Sequence, residues 1–128
     1  MVAAGAEHSV AVGAKGGIWT WGYGGKGRFG HNNRDDRLEP TVLAREALGV
    51  AVAVLVAAGS CHTVAVTTEV ALWVWGCGLY GQLGLVDTKN MLKPVRVGAE
   101  EVFGGQVLVT ACGEEHTLIV TNNGTLWT

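Results

Sequence analysis

Charge, cysteine and proline are all scarce in this chain of 128 residues, and each shortage removes a class of explanation. Nine lysines and arginines stand against eleven acidic residues, for a formal charge of -2. Such a balance gives no general attraction for a phosphate backbone or an anionic bilayer, so nucleic acid is unsupported as a partner and no membrane is expected. The three cysteines, Cys61, Cys77 and Cys112, are odd in number and lack close pair spacing. They read as reduced thiols of an intracellular protein, cytoplasmic or nuclear. Long apolar runs are missing too. The longest nearly uncharged stretch, Ala47 to Thr68, is interrupted by Gly49, Gly59, Ser60, Cys61 and His62, which a membrane span would not tolerate. The run from Met1 meets Glu7 and His8 at once, so no secretion leader is expected.

Glycine and apolar residues are abundant instead. With 20 glycines and 48% hydrophobic residues, the chain is too apolar for disorder and too rich in glycine for a helical bundle. One domain over residues 1–128, made of short strands and tight turns, is the expectation.

The chain resembles itself. "AGAEHSVAV" (Ala4 to Val12), "AGSCHTVAV" (Ala58 to Val66) and "CGEEHTLIV" (Cys112 to Val120) share one register, and His8, His62 and His116 are spaced 54 residues apart. The same offset relates Trp19 to Trp73 and Trp127, Trp21 to Trp75, Gly22 to Gly76, Gly24 to Gly78, Gly27 to Gly81, Gly30 to Gly84, and Pro40 to Pro94. Repetition of this kind precedes any local motif in weight. It divides the chain into repeats over 3–56 and 57–110 and a partial third over 111–128.

"HSVAV" and "HTVAV" alternate with the period of a pleated strand, as do "GIWTWG" and "ALWVWG". The turns "GAKGG" and "TNNGT" supply residues that accept positive φ, whereas the second repeat has Val70 at the place of Gly16 and Gly124. A β-branched residue resists that conformation, so this turn is expected to differ in type or length. Third strands are expected at Pro40 to Leu43 and Pro94 to Val97, each beginning on its proline. Fourth strands are expected at Val50 to Ala57 and Val107 to Ala111. Four short antiparallel strands per repeat are the content of one propeller blade.

The succession of "AxGxxHTxxV", "LWxWGxGxxGQLG" and a proline strand resembles the regulator of chromosome condensation (RCC1) repeat, with "WGCGLYGQLGL", Trp75 to Leu85, as the strongest segment. The resemblance implies all-β blades of a seven-bladed β-propeller, with variable loops on its two faces as docking surfaces for proteins. The family's founding activity, nucleotide exchange on a small GTPase, works by docking and needs no catalytic triad.

Several local motifs lose their appeal in this setting. "GYGGKG", Gly22 to Gly27, and "GCGLYG", Gly76 to Gly81, match a dinucleotide fingerprint, but "RFGHNNRDDRLEP" follows where a helix is required. These glycines, including Gly24 and Gly78, are expected to make sharp turns beside indole rings, and no cofactor is expected. His8, His62 and His116 would lie on successive blades, not around one metal, and are expected to bond backbone groups at blade junctions. Cys61 has Glu7 and Glu115 as counterparts, and neighbours in a strand point to opposite faces, so Cys61 and His62 make no nucleophile and base. A light-sensing branch of the family carries Gly-Trp-Arg-His-Thr. The corresponding slots here, from Gly5, Gly59 and Gly113, contain neither tryptophan nor arginine. Trp19, Trp73 and Trp127 are expected to pack between blades or beside the glycine turns.

A non-enzymatic protein-binding scaffold is therefore the expected function. Its candidate contacts are the polar loop "RFGHNNRDDR", with Arg28, His31, Asn32, Arg34, Asp35 and Arg37, and the matching loop carrying Asp87 and Lys89. Guanine-nucleotide exchange on a small GTPase is the alternative, although no insertion is long enough to act as a wedge. Chromatin or histone docking is a second, disfavoured by the charge. Two and a third repeats do not close a seven-bladed ring, so a larger propeller or self-association through free edge strands is expected.

Overall fold

A computed structural model of the chain describes residues 1–98 and 103–128. Its strands are β1 (Val2–Ala4), β2 (His8–Val12), β3 (Ile18–Gly22), β4 (Arg37–Val42), β5 (Ala53–Ala58), β6 (His62–Thr67), β7 (Leu72–Gly76), β8 (Met91–Val97), β9 (Val107–Cys112), β10 (Thr117–Thr121) and β11 (Leu126–Trp127). They form three antiparallel sheets, in the orders β1-β2-β3-β4, β5-β6-β7-β8 and β11-β10-β9. Each is an up-and-down meander, the architecture of a propeller blade. The strand before each glycine-x-x-histidine phrase pairs with the histidine strand itself, as Ala58 with Thr63 and Cys112 with Thr117.

Register repeats along with sequence. His8 faces Gly22 and Val12 faces Ile18 in the first sheet; His62 faces Gly76 and Val66 faces Leu72 in the second. Alternation on β6 explains how the sheets stack. Ala65 joins Val10, Ile18, Leu43, Val56 and Trp75 in a core between the first two sheets. Val64 and Val66 point the other way, to Leu72, Val74, Val97, Val107 and Ile119 between the second and third. The middle sheet is thus covered on both faces, and every residue of β6 is buried. Burial of one such valine stabilises by roughly 1.5–3 kcal/mol, so the stacking of sheets holds the fold more than any single sheet does.

Two strand-level expectations are corrected. Pro40 and Pro94 lie inside β4 and β8, not at their starts. Both strands are outermost in their sheets, where a missing N–H costs no ladder bond, and the register shifts beside each proline, between Thr20 and Gly22 and between Val74 and Gly76. The turn at Val70 is also the same as its counterparts. Val70 adopts φ 59°, beside 74° at Gly16 and 81° at Gly124. Its N–H donates to the Thr67 carbonyl at 2.9 Å, as Gly16 does to Gly13 and Gly124 to Thr121. The flanking ladders prevail over the side chain's aversion to positive φ. No helix among the described residues is long and apolar enough to cross a membrane.

Candidate functional site

The repeated histidine phrase builds a clasp between neighbouring sheets. His8, at the head of β2, places Nε2 2.9 Å from Thr63 Oγ1 on β6, and His62 places Nε2 3.0 Å from Thr117 Oγ1 on β10. Thr63 in turn donates to the Arg28 carbonyl at 2.8 Å, and Thr117 to the Gln82 carbonyl at 2.7 Å. Because each hydroxyl proton is committed to a carbonyl, the imidazole Nε2 carries the donated proton and Nδ1 is the bare nitrogen. No partner meets either Nδ1 among the described residues. The expected backbone partner of the histidines is thus a threonine hydroxyl, which passes the bond on to the backbone. At the first junction the Trp75 indole also donates to the Arg28 carbonyl, at 3.0 Å.

With Nδ1 buried and unpartnered among the described residues, this geometry favours neutral imidazoles. Burial, followed by the positive charge of Arg28 and the proximity of His62, lowers the His8 pKa to about 4. Burial and then His116 lower that of His62 to about 4 as well. His116, with no further sheet against it, is exposed. Cys61 is equally unsuited to chemistry. Burial first, then the hydrogen bond and proximity of the Cys77 thiol, push its pKa up to about 11, away from the nucleophilic thiolate. His62 Nε2, turned to Thr117, is not its base.

The glycines let backbones approach. At Gly76, φ is 99° and a Cβ would come within 2.4 Å of the Cys61 carbonyl; at Gly78 a Cβ would come within 2.1 Å of the Lys89 carbonyl. Gly22 and Gly24 make the same approaches in the first repeat, to the carbonyls of Glu7 and Asp35. Among the tryptophans, Trp19 and Trp127 are 41% and 37% exposed and Trp73 is half-buried. Trp127 meets the Phe103 ring edge-on at 5.3 Å. Trp75 is fully buried between the first two sheets, and Trp73 packs against the same core, as expected.

The candidate loop residues divide into two groups. Arg28 is only 3% exposed, which corrects its place among surface contacts. Its Nε donates to the Gly25 carbonyl at 2.9 Å and its Nη1 to the Ser60 carbonyl at 3.0 Å and Glu7 Oε2 at 3.2 Å, while the guanidinium lies over the Tyr23 ring. It joins the first sheet to the second. His31 is half-buried and bonded through Nε2 to Thr20 Oγ1 at 3.0 Å, and Arg37 is half-buried at the start of β4. Asn32, Arg34, Asp35, Asp87 and Lys89 are exposed. The loops that carry them close in the same way twice. Asn33 Oδ1 accepts from the Asp35 N–H, and Asp87 Oδ1 from the Lys89 N–H. Asp36 Oδ1 accepts from the Gly24 N–H at 2.8 Å, and Asn90 Oδ1 from the Gly78 N–H at 3.2 Å. Exposed charges therefore stand on rigid turns at equivalent places on successive sheets.

The sequence places Thr63 and Thr117 beside the junction histidines without showing them as those histidines' partners, and it leaves Trp75 unmarked as a junction residue. The signal was present: a hydroxyl residue follows each repeated histidine, and Trp75 repeats Trp21. What it lacked was a direction, since period alone does not show that the hydroxyl serves the histidine of the preceding sheet.

Stacked antiparallel meanders, two of four strands and one of three, joined by a repeated clasp define blades of a β-propeller. The regulator of chromosome condensation (RCC1) repeat matches residues 15–66 and 71–120, with a second form of that repeat over 53–82, and the chain belongs to this family. It is 38% identical over 128 residues to the mouse E3 ubiquitin-protein ligase HERC2, covering 98% of this chain and 3% of that protein. To the ultraviolet-B receptor UVR8 of Arabidopsis thaliana it is 38% identical over 128 residues, covering 99% of this chain and 28% of the receptor. The chain thus spans well under a third of either relative. Among solved structures, human WBSCR16 superposes with a TM-score of 0.86 at 24% identity, over 98% of this chain and 31% of that one. Prp20p of Saccharomyces cerevisiae superposes with a TM-score of 0.79 at 23% identity, over 93% and 30%. At these identities the likeness concerns the fold.

Proposed function

We propose that this chain is a non-enzymatic protein-binding scaffold whose contacts are the exposed loop residues Asn32, Arg34, Asp35, Asp87 and Lys89. The observation that carries this reading is the pair of equivalent Asx-closed loops, which present charge of both signs on a rigid support. Preordered loops lose little conformational freedom on binding, which favours recognition by complementary charge. The conspicuous titratable groups support the same reading, because His8, His62 and Arg28 are spent on holding blades together. Residues 3–56, 57–110 and 111–128 are the repeats of this scaffold, and its open sheet edges take part in association, with a further blade or with another copy.

The test is a quantitative interaction profile of the intact protein with and without the triple charge reversal Arg34→Glu, Asp35→Lys and Lys89→Glu. Loss of a defined set of partners at unchanged thermal stability is expected; an unchanged profile would overturn the assignment of these loops. Guanine-nucleotide exchange is the second reading. It is favoured by the fold shared with Prp20p, a protein described by its binding to Gsp1p and histones. Accelerated release of labelled nucleotide from a small GTPase would establish it over the scaffold. Histone docking gains nothing from the formal charge of -2.

A further inference from the structure

Cys61 and Cys77 are 7% and 0% exposed, and the histidine clasp uses neither. They stand opposite each other in the second sheet. His62 pairs with Gly76, which sets the residue before the one against the residue after the other, and the Cys77 N–H donates to the Cys61 carbonyl at 2.8 Å. Partners bonded in this way have Cα atoms about 5.5 Å apart and side chains on one face of the sheet. Disulfides span Cα separations of about 4.4–6.8 Å, so this spacing suits one without backbone movement. The first repeat shows that side chains at these two positions converge. Its pair is Glu7 and Tyr23, joined by the same backbone bond at 2.8 Å, and both side chains reach the Arg28 guanidinium. In the second repeat thiols take both places, and they interact directly.

We propose that Cys61 and Cys77 are a redox modification site, closed to an intramolecular disulfide by exchange with a low-molecular-weight disulfide. Cys61 is the attacking thiol, since it alone of the two is open to solvent and Lys26 and Arg28 lend it positive charge. Having lost its proton to solvent, its sulfur bonds to one sulfur of the reagent and expels the other as a thiolate. Cys77 then gives up its own proton, attacks the Cys61 sulfur and releases the remaining half of the reagent as a second thiolate. Both released thiolates take up protons. The chain's two thiols are thus oxidised to one disulfide while the reagent is reduced to two thiols. A Cys61 pKa of about 11 makes this exchange slow, because the thiolate is rare, and its product durable, because a thiol of high pKa is a poor leaving group when a reductant attacks. A modification made once tolerates the slowness that a catalytic nucleophile does not. The bond joins the end of β7 to the head of β6, directly before His62, and so latches the strand pair that carries the clasp to Thr117.

The loop contacts proposed above play no part in this exchange. Its test is incubation of the 128-residue chain with oxidised glutathione until the thiol count is constant, then alkylation of the remaining thiols under denaturing conditions and peptide mass spectrometry. A Cys61–Cys77 crosslink with the loss of two hydrogens is expected, with Cys112 still alkylated. Because the bond closes a loop in the unfolded chain, the melting temperature should rise by about 5 °C or more. Cys77→Ser should accumulate a glutathione adduct on Cys61, and Cys61→Ser should carry several-fold less on Cys77. Full alkylation of Cys61 and Cys77 in the native chain, a crosslink through Cys112, equal adducts in the two variants, or a melting temperature unchanged or lowered by the bond would each overturn the proposal.

Discussion

Burial favours the neutral forms of His8 and His62, and that makes stability depend on pH. Their pKa values of about 4 lie below the 6.5 of an unperturbed histidine, so between those values the unfolded chain binds the more protons. Their contribution is fully present above pH 6.5 and is lost as pH falls through 4. The difference corresponds to about 3 kcal/mol per histidine, a large part of the 5–15 kcal/mol typical of a domain. In His62→Gln the carboxamide keeps an N–H for Thr117 but does not titrate. Urea unfolding at a series of pH values should show the slope between pH 6.5 and 4 reduced by about half; an undiminished slope would mean that other groups set it. Val70 provides the opposite case, a residue at odds with its backbone. Its positive φ costs roughly 1–2 kcal/mol, against which glycine loses about 0.4–1 kcal/mol through the unfolded chain. Val70→Gly should therefore raise the urea midpoint at constant m-value, for a gain in stability of roughly 0–1.6 kcal/mol. A lower midpoint would show that the half-buried valine side chain contributes more by packing than its backbone loses.

Elements were legible in the sequence where the pattern has a period, and less so where a neighbour decides the outcome. "HTVAV" alternates, and β6 alternates between two cores. Pro40 looked like a strand's beginning because proline ends ladders, yet the outer position of β4 lets the strand continue through it. In the loops, composition marked a polar surface without separating supports from contacts. Asp36 and Arg34 illustrate the division, being two residues apart and both exposed, although only Asp36 Oδ1 receives a backbone N–H, from Gly24. Asp36→Ala should cost about 1 kcal/mol by freeing that donor, whereas Arg34→Ala should stay within about 0.5 kcal/mol. Equal effects in thermal unfolding would mean that the cap does not hold the loop.

At the scale of the molecule, the repeat of 54 residues made the propeller blades readable, because identical phrases had to find identical surroundings. The interplay of blades was less readable, since His8 and Thr63 are 55 residues apart and nothing in a period tells which sheet a side chain leans on. That clasp has two unused halves. His116 is exposed on the third sheet, and Ser9, the counterpart of Thr63, is half-buried on the first. The third sheet also exposes Leu108, Val109, Leu126 and Trp127, and among the described residues β11 pairs with β10 alone. An open strand edge beside apolar side chains favours pairing with another chain. Light scattering by the 128-residue chain should therefore show a mass that rises with concentration. If the association uses the clasp head to tail, His116→Ala should weaken it, and Leu126→Lys should weaken it further by placing a charge on the edge strand, with circular dichroism unchanged in both. A constant monomer mass at both a low and a high concentration would refute association, whereas a rising mass insensitive to both substitutions would place the contact on β4 and the exposed Trp19 and Val42 of the first sheet instead.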